Sequence, residues 1–236
     1  MPVNKNLLSC LLLILGISVM KAQNPQMSTM SADAAWYDQL LYSGVEWQPA
    51  MPTAAGNEFF LTPEPLHGTV LIDGITFRDV SMKYDIFNDG LIVLWTNGSP
   101  IVIDSKKVDE FTIVYNGLPR RFVNLRETYP GIRGFAEIMY QGASPVIAKH
   151  IKVVSKNPAA TNYAEFSEET RYYLVLNGSC FQVKNKSSFL DLMGEYELPV
   201  KKYIRQKNLY LSQNSPEGFI IAATYYDSLT VSAKPE

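Results

Sequence analysis

Cysteine and histidine are both scarce in this chain, and their scarcity excludes several chemistries. The 236 residues include two cysteines, Cys10 and Cys180, and two histidines, His67 and His150. HxxxH, HExxH and paired-cysteine spacings are all missing, which removes the usual zinc sites. No glycine-rich phosphate cradle occurs, so no cofactor is expected. "QGASP" around Ser144 lacks the G-x-S-x-G elbow of a serine hydrolase and reads as a turn. Positive charge is not in excess: 21 Lys and Arg stand against 23 Asp and Glu, which argues against nucleic acid as a partner. One long apolar run exists, Leu7 to Met20, and it is shorter than the about 20 residues of a membrane span.

That run lies between Lys5 and Ala22 in "MPVNKNLLSCLLLILGISVMKA". A basic start, a short apolar core and a small residue at the cut make a secretory signal peptide over residues 1–22. "LLSC" faintly resembles a lipoprotein box, but too little apolar sequence precedes it. Cleavage after Ala22 removes Lys5, Lys21 and no acid, which moves the net charge from −2 to −4. It also leaves Cys180 alone, so no disulfide can form within the mature chain, and stability must come from a core. With 47% hydrophobic residues, a core is within reach. Export is expected, to the periplasm, the outer-membrane surface or the medium, with no stable membrane span after cleavage.

Turn signals are regular. Asp73-Gly74, Asp89-Gly90, Asn97-Gly98, Asn116-Gly117 and Asn177-Gly178 each separate apolar runs, and such pairs favour hairpin turns that need positive φ. The flanks read as strands: "TVLI", "ITFRDV", "SMKYDIF", "LIVLW", "EFTIVY", "RRFVNL", "GFAEIMY", "VIAKHIKVV", "RYYLVL" and "FQVK". Pro119 suggests an edge strand. The expected fold is mainly β, an antiparallel meander of about eight to ten strands curled into a sheet or incomplete barrel. Residues 23–35 read as a flexible leader and 36–156 as the antiparallel β domain. Residues 157–236 form a small α+β portion that can pack on the same core.

In "KYDIFNDGLIVLW", Asp85, Asn88 and Asp89 fall within five positions. With Asp89-Gly90 as a two-residue loop, Tyr84 pairs with Trp95, Ile86 with Val93 and Asn88 with Leu91. Alternation then turns Asp85 away from Tyr84, and the oxygens mark a hairpin corner rather than a metal loop. In the C-terminal portion, Ser187 is a candidate helix cap and Gly194 a stop. Pro199 can open "VKKYIRQKN", and Ser215-Pro216 can start "SPEGFIIAATYYDSL". Ile220 to Ala223 reads equally as a buried strand.

From about Leu41 to Leu229 the chain resembles a broad group of uncharacterised secreted proteins of Bacteroidota. The residues that carry this are "LYSGVEW", "GTVLIDGITFRDVSMKYDIFNDGLIV", "IDSKKVDEFTI" with "RRFVNL", "GFAEIMYQG", "RYYLVLNG", "KNKSSFLDLMGEY", "VKKYIRQKNLYLS" and "YYDSL". Glu46-Trp47 stands where Glu-Tyr is expected, and Gly90 where an acid is expected. The resemblance implies a compartment and a fold, not a reaction. Asp227-Ser228-Leu229 also resembles the three-residue O-glycosylation signal of that phylum.

Individual reactive groups read blandly. His150 alternates with Val146, Ala148, Lys152 and Val154 as a partly exposed strand histidine, and His67 follows a surface loop. Cys180 points outward with Gln182 and Lys184, and Lys184 would lower its thiol pKa modestly. Asp109, Glu110 and Glu137 are acids on strands, expected on the outer face of a half-exposed sheet; only a facing pair would suggest glycoside hydrolysis. Lys201, Lys202, Arg205 and Lys207 form the solvated side of a short helix. No catalytic, cofactor or metal residue is assigned. The expected function is non-catalytic binding of an envelope protein or a surface glycan, in keeping with 14 tyrosines. A hydrolase with unidentified acids and a carrier of a small apolar ligand are the alternatives.

Overall fold

The computed structural model describes residues 39–95, 97–126, 128–129, 131–156 and 164–232. The expected signal segment (1–22), the expected leader (23–35) and residues 157–163 lie outside them. The first half of the sheet comprises β1 (Gly44–Glu46), β2 (Leu66–Ile72), β3 (Ile75–Asp85), β4 (Gly90–Leu94), β5 (Pro100–Ile103) and β6 (Val108–Tyr115). The second comprises β7 (Leu118–Asn124), β8 (Phe135–Tyr140), β9 (Val146–Lys156), β10 (Ala164–Leu176) and β11 (Ser179–Val183). All eleven make one open antiparallel sheet in the order β1-β5-β4-β3-β2-β6-β7-β8-β9-β10-β11.

Three Asx-Gly pairs close two-residue hairpins. Asp73-Gly74, Asn116-Gly117 and Asn177-Gly178 have positive φ at both positions, as a type I′ turn requires. "ITFRDV" and "SMKYDIF" belong to a single strand, β3. A bulge interrupts its pairing with β2 between Val80 and Phe77, and Asp79 takes φ 53° there. The strands β1 and β5 carry no clear alternation and were not expected. Pro119 lies on β7, which is interior, not an edge. β8 pairs with β7 only from Phe122 to Asn124, so the missing N–H at Pro119 leaves no bond to β8 unmade.

The sheet curls tightly. β3 and β8 are four strands apart, about 19 Å across a flat sheet, yet the Tyr84 and Phe135 rings lie 5.9 Å apart. Phe111 and Phe122 stack between them at 4.8 Å and 10°. Residues 55–60 strap the open side: Phe60 N–H donates to the Tyr84 carbonyl, and Phe166 N–H on β10 donates to the Ala55 carbonyl.

Helices complete the cover at the other end. Helix α1 (Lys186–Leu190) is capped by Asn185 rather than Ser187, because Asn185 and Ser188 satisfy each other's backbone N–H. Helices α2 (Glu197–Gln206) and α3 (Glu217–Ser232) follow, so Ile220 to Ala223 is helical. Phe189, Val200, Ile204, Phe219 and Ala223 bury themselves against Val146, Ala148, Leu174 and Val183. A smaller cluster of Leu125, Ile132, Ala136, Ile147 and Val175 packs on the reverse face. Among the described residues, no helix is long and apolar enough to cross a membrane.

Candidate functional site

Register defines a single row across the inner face. Phe77, Val70, Phe111, Phe122, Glu137, Ala148, Tyr172 and Val183 face one another in turn from β3 to β11. Every member is buried, and one is charged. Glu137, 3% exposed, sits where the aromatic core of the curl meets the helix-covered core.

A buried carboxylate needs partners, and Glu137 draws them from both neighbouring strands. Arg120 on β7 donates through Nε and, at 2.6 Å, through Nη2. His150 on β9 brings Nε2 to 2.8 Å, and its Nδ1 lies 2.9 Å from the Thr170 hydroxyl on β10. Four consecutive strands thus each contribute one polar residue. Burial pushes the Glu137 carboxyl up, but the hydrogen bonds and charges of Arg120 and His150 outweigh it and hold it below the ordinary range. The Phe60 ring covers His150 at 4.5 Å and Arg120 at 5.3 Å.

The order hydroxyl, imidazole, carboxylate is that of a catalytic triad, but the setting is structural. Both Glu137 oxygens are taken up by Arg120, and Phe60 closes the imidazole face. His150 is therefore buried at 6% exposure, not partly exposed as its strand pattern suggested. Alternation placed it correctly beside Val146 and Ala148; it could not reveal that both faces of the sheet are covered. For the same reason Glu137 belongs to the inner face, not the outer one. Asp109 is held by Arg126 and Glu110 by Arg121, so each of the three candidate acids is paired with an arginine.

The β3–β4 corner differs from the two-residue loop. Asp85 pairs with Gly90, Tyr84 with Leu91 and Met82 with Val93, so residues 86–89 form the loop. The shift from the expected register is even, so the face assigned to Met82 and Tyr84 is unchanged. Asp85 accepts the N–H groups of Phe87 and Asn88, each at 2.9 Å. Asp89 leaves the corner: it accepts from the Tyr84 hydroxyl at 2.6 Å and from Lys149 Nζ at 2.7 Å. Lys149 also donates to the Phe135 carbonyl at 2.8 Å. Burial pulls the Lys149 pKa down against the pull of Asp89, while burial and then Asp89 push the Tyr84 hydroxyl well up. This crosslink from corner to β9 has no short-range sequence signal.

The remaining candidates separate. His67 is exposed and lies 2.9 Å from Asp79. Cys180 is half-buried beside Val175 on the reverse face, and burial raises its thiol to about 11, opposite to the effect expected from Lys184. Ser144 is buried in the β8–β9 connection. Lys202, Arg205 and Lys207 are exposed on and just beyond α2, and Lys201 reaches Glu197 at 3.7 Å. Asp227 is buried within α3, whereas Ser228 is exposed and donates to the Tyr225 carbonyl at 2.6 Å.

At the β1–β5–β4 end lies an open hollow of about 280 Å³ lined by Glu46, Trp95, Asn97, Ser99 and Ile101. The β4–β5 hairpin builds it: Trp95 N–H donates to the Ser99 carbonyl, and Asn97 Oδ1 accepts from Ser99 N–H. Trp95 remains 38% exposed with its ring tilted against Tyr42 at 4.7 Å. Sequence reasoning missed this group because β5 and β1 were not recognised. Comparison of the chain with protein-family models, with curated proteins and with solved structures gave no match.

Proposed function

We propose that the protein is exported and non-catalytic, and that it binds a cell-surface glycan in the hollow beside Trp95. Export rests on the sequence pattern of residues 1–22. The observation that carries the ligand class is the lining of the hollow. A half-exposed indole steadied by Tyr42 offers a flat apolar face to the C–H side of a sugar ring. Glu46, Asn97 and Ser99 beside it supply the few polar groups that orient a ligand by its hydroxyls. The volume of about 280 Å³ suits a single sugar ring at the end of a chain.

The absence of catalysis is supported by the state of the reactive groups. The acids considered for hydrolysis are held by arginines, and the Cys180 thiol stays protonated at neutral pH. A carrier of apolar ligands needs an empty interior, whereas the inner face here is filled by Tyr84, Phe111, Phe122 and Phe135.

The test is binding of residues 23–236 to a panel of bacterial surface glycans, read by calorimetry. Wild type is expected to bind at least one, and Trp95→Ala to weaken it about tenfold or more with an unchanged melting temperature. Equal binding by the two proteins, or none by either, overturns the reading. Capture of an envelope protein along the exposed edge strand β1 would instead point to strand addition.

A further inference from the structure

Charge is unevenly spread along this acidic chain, and α2 is where it reverses. Residues 199–216 include Lys201, Lys202, Arg205 and Lys207 and no aspartate or glutamate. Glu197, in the first turn of the helix, is taken up by Lys201 at 3.7 Å. Among the described residues, Lys202, Arg205 and Lys207 form no ion pair, and all three are exposed.

Helix geometry sets two of these cations beside an apolar side chain. Val200 and Ile204 are buried in the helix-covered core, and Tyr203 stacks on Tyr225 of α3 at 3.8 Å. The opposite face of α2 carries Leu198, Lys202 and Arg205, which follow one another at helical spacing. Leu198 is 75% exposed, more than any other large apolar side chain among the described residues. Just past the helix end the chain continues with Lys207 and then Tyr210, which is 72% exposed. The negative end of the helix dipole accounts for cations in and after the last turn. It gives no reason for a leucine left in water on the same face.

A lipid surface of negative charge satisfies both features. Its phosphate groups meet the cations of α2, and Leu198 enters the apolar boundary beneath them. A soluble polyanion would use the cations alone. The chain as a whole is acidic, with net charge −2, but at physiological ionic strength charges more than about 8 Å away are largely screened. The local face therefore governs the contact. We infer that the outward face of α2 docks on an anionic lipid surface and holds the protein against a membrane that it does not cross. The inference does not rest on the glycan reading, since it uses no residue of the Trp95 hollow.

The test is co-sedimentation of residues 23–236, the form expected after export, with phosphatidylcholine vesicles that contain or lack phosphatidylglycerol. Binding is expected only where phosphatidylglycerol is present, and it should fall steeply as salt is added. Joint replacement Lys202→Glu and Arg205→Glu should weaken it about tenfold or more, and Leu198→Ser severalfold. All three side chains are exposed, so the melting temperature should stay at the wild-type value in both variants, and Trp95→Ala should leave vesicle binding unchanged. Equal binding to the two vesicle types, binding to neither, or wild-type affinity in the charge-reversed variant overturns the inference. Wild-type affinity in Leu198→Ser overturns it too, and assigns the cations to a soluble polyanion.

Discussion

Gly134, just before β8, leaves open the space that the Asp89 carboxylate occupies. A Cβ at Gly134 would land on Asp89 Oδ2 and lie 3.1 Å from Lys149 Nζ, and Gly134 also has φ +73°. Glycine is required there twice over, by its backbone conformation and by the ion pair beside it.

Gly134→Ala should therefore destabilise the protein by about 2 kcal/mol, from left-handed strain and displacement of a partly buried ion pair. Urea denaturation measures it. A loss under about 1 kcal/mol would mean that the corner moves aside at little cost.

Glu137 gives stability a defined dependence on pH. Its carboxyl is held below the ordinary range in the folded state, so the unfolded chain takes up a proton first as pH falls. The stabilisation is complete above the ordinary glutamate value, about 4.3, and is lost on descending through the folded value. Glu137→Gln should cost about 3 kcal/mol at pH 7, and the gap from wild type should narrow in acid. A gap independent of pH would contradict the lowered carboxyl.

Cys180 should be a poor nucleophile. With its thiol raised from 9.0 to about 11, its thiolate fraction near neutrality is about a hundredfold below that of the unfolded chain. Iodoacetamide at pH 8 should label native protein slowly and urea-unfolded protein readily. Equal rates would place the thiol in solvent.

Asp85 acts on the backbone of its own corner. Asp85→Ala leaves the Phe87 and Asn88 N–H groups without their acceptor and should cost about 2 kcal/mol. Asp85→Asn retains one oxygen and should cost less. Added calcium should leave the melting temperature of both variants and wild type unchanged; a calcium-dependent rise in wild type alone would reopen the corner as a metal site.

The local signals of this fold were legible, and the non-local ones were not. Asn-Gly and Asp-Gly pairs located three hairpins because positive φ at two successive positions is a property of those residues. Alternation placed His150 with Ala148 and Tyr84 with Met82, since parity survives an even change of register. It could not tell which face was covered, because the strap at 55–60, the helices and the reverse-face cluster come from distant segments. Glu137 and His150 were therefore assigned to solvent. "PIVI" and "GVE" carry no readable signal, because three or four residues are too few for a period to show. The Asp89–Lys149 pair, 60 positions apart in sequence, and the Trp95 hollow depend on how those pieces assemble.

The strap also bears on the order of events during folding. Ala55 bridges to Glu165, 110 positions later in the chain. A contact of that span forms late, since loop closure must be met before the contact contributes. The hairpins of the first half can zip as they are synthesised, and the strap can join β3 through Phe60 early, but its Ala55 end has no anchor until β10 exists. A chain shortened before residue 165 would hold the strap at one end alone, and the intact protein passes through that half-fastened state before β10 docks.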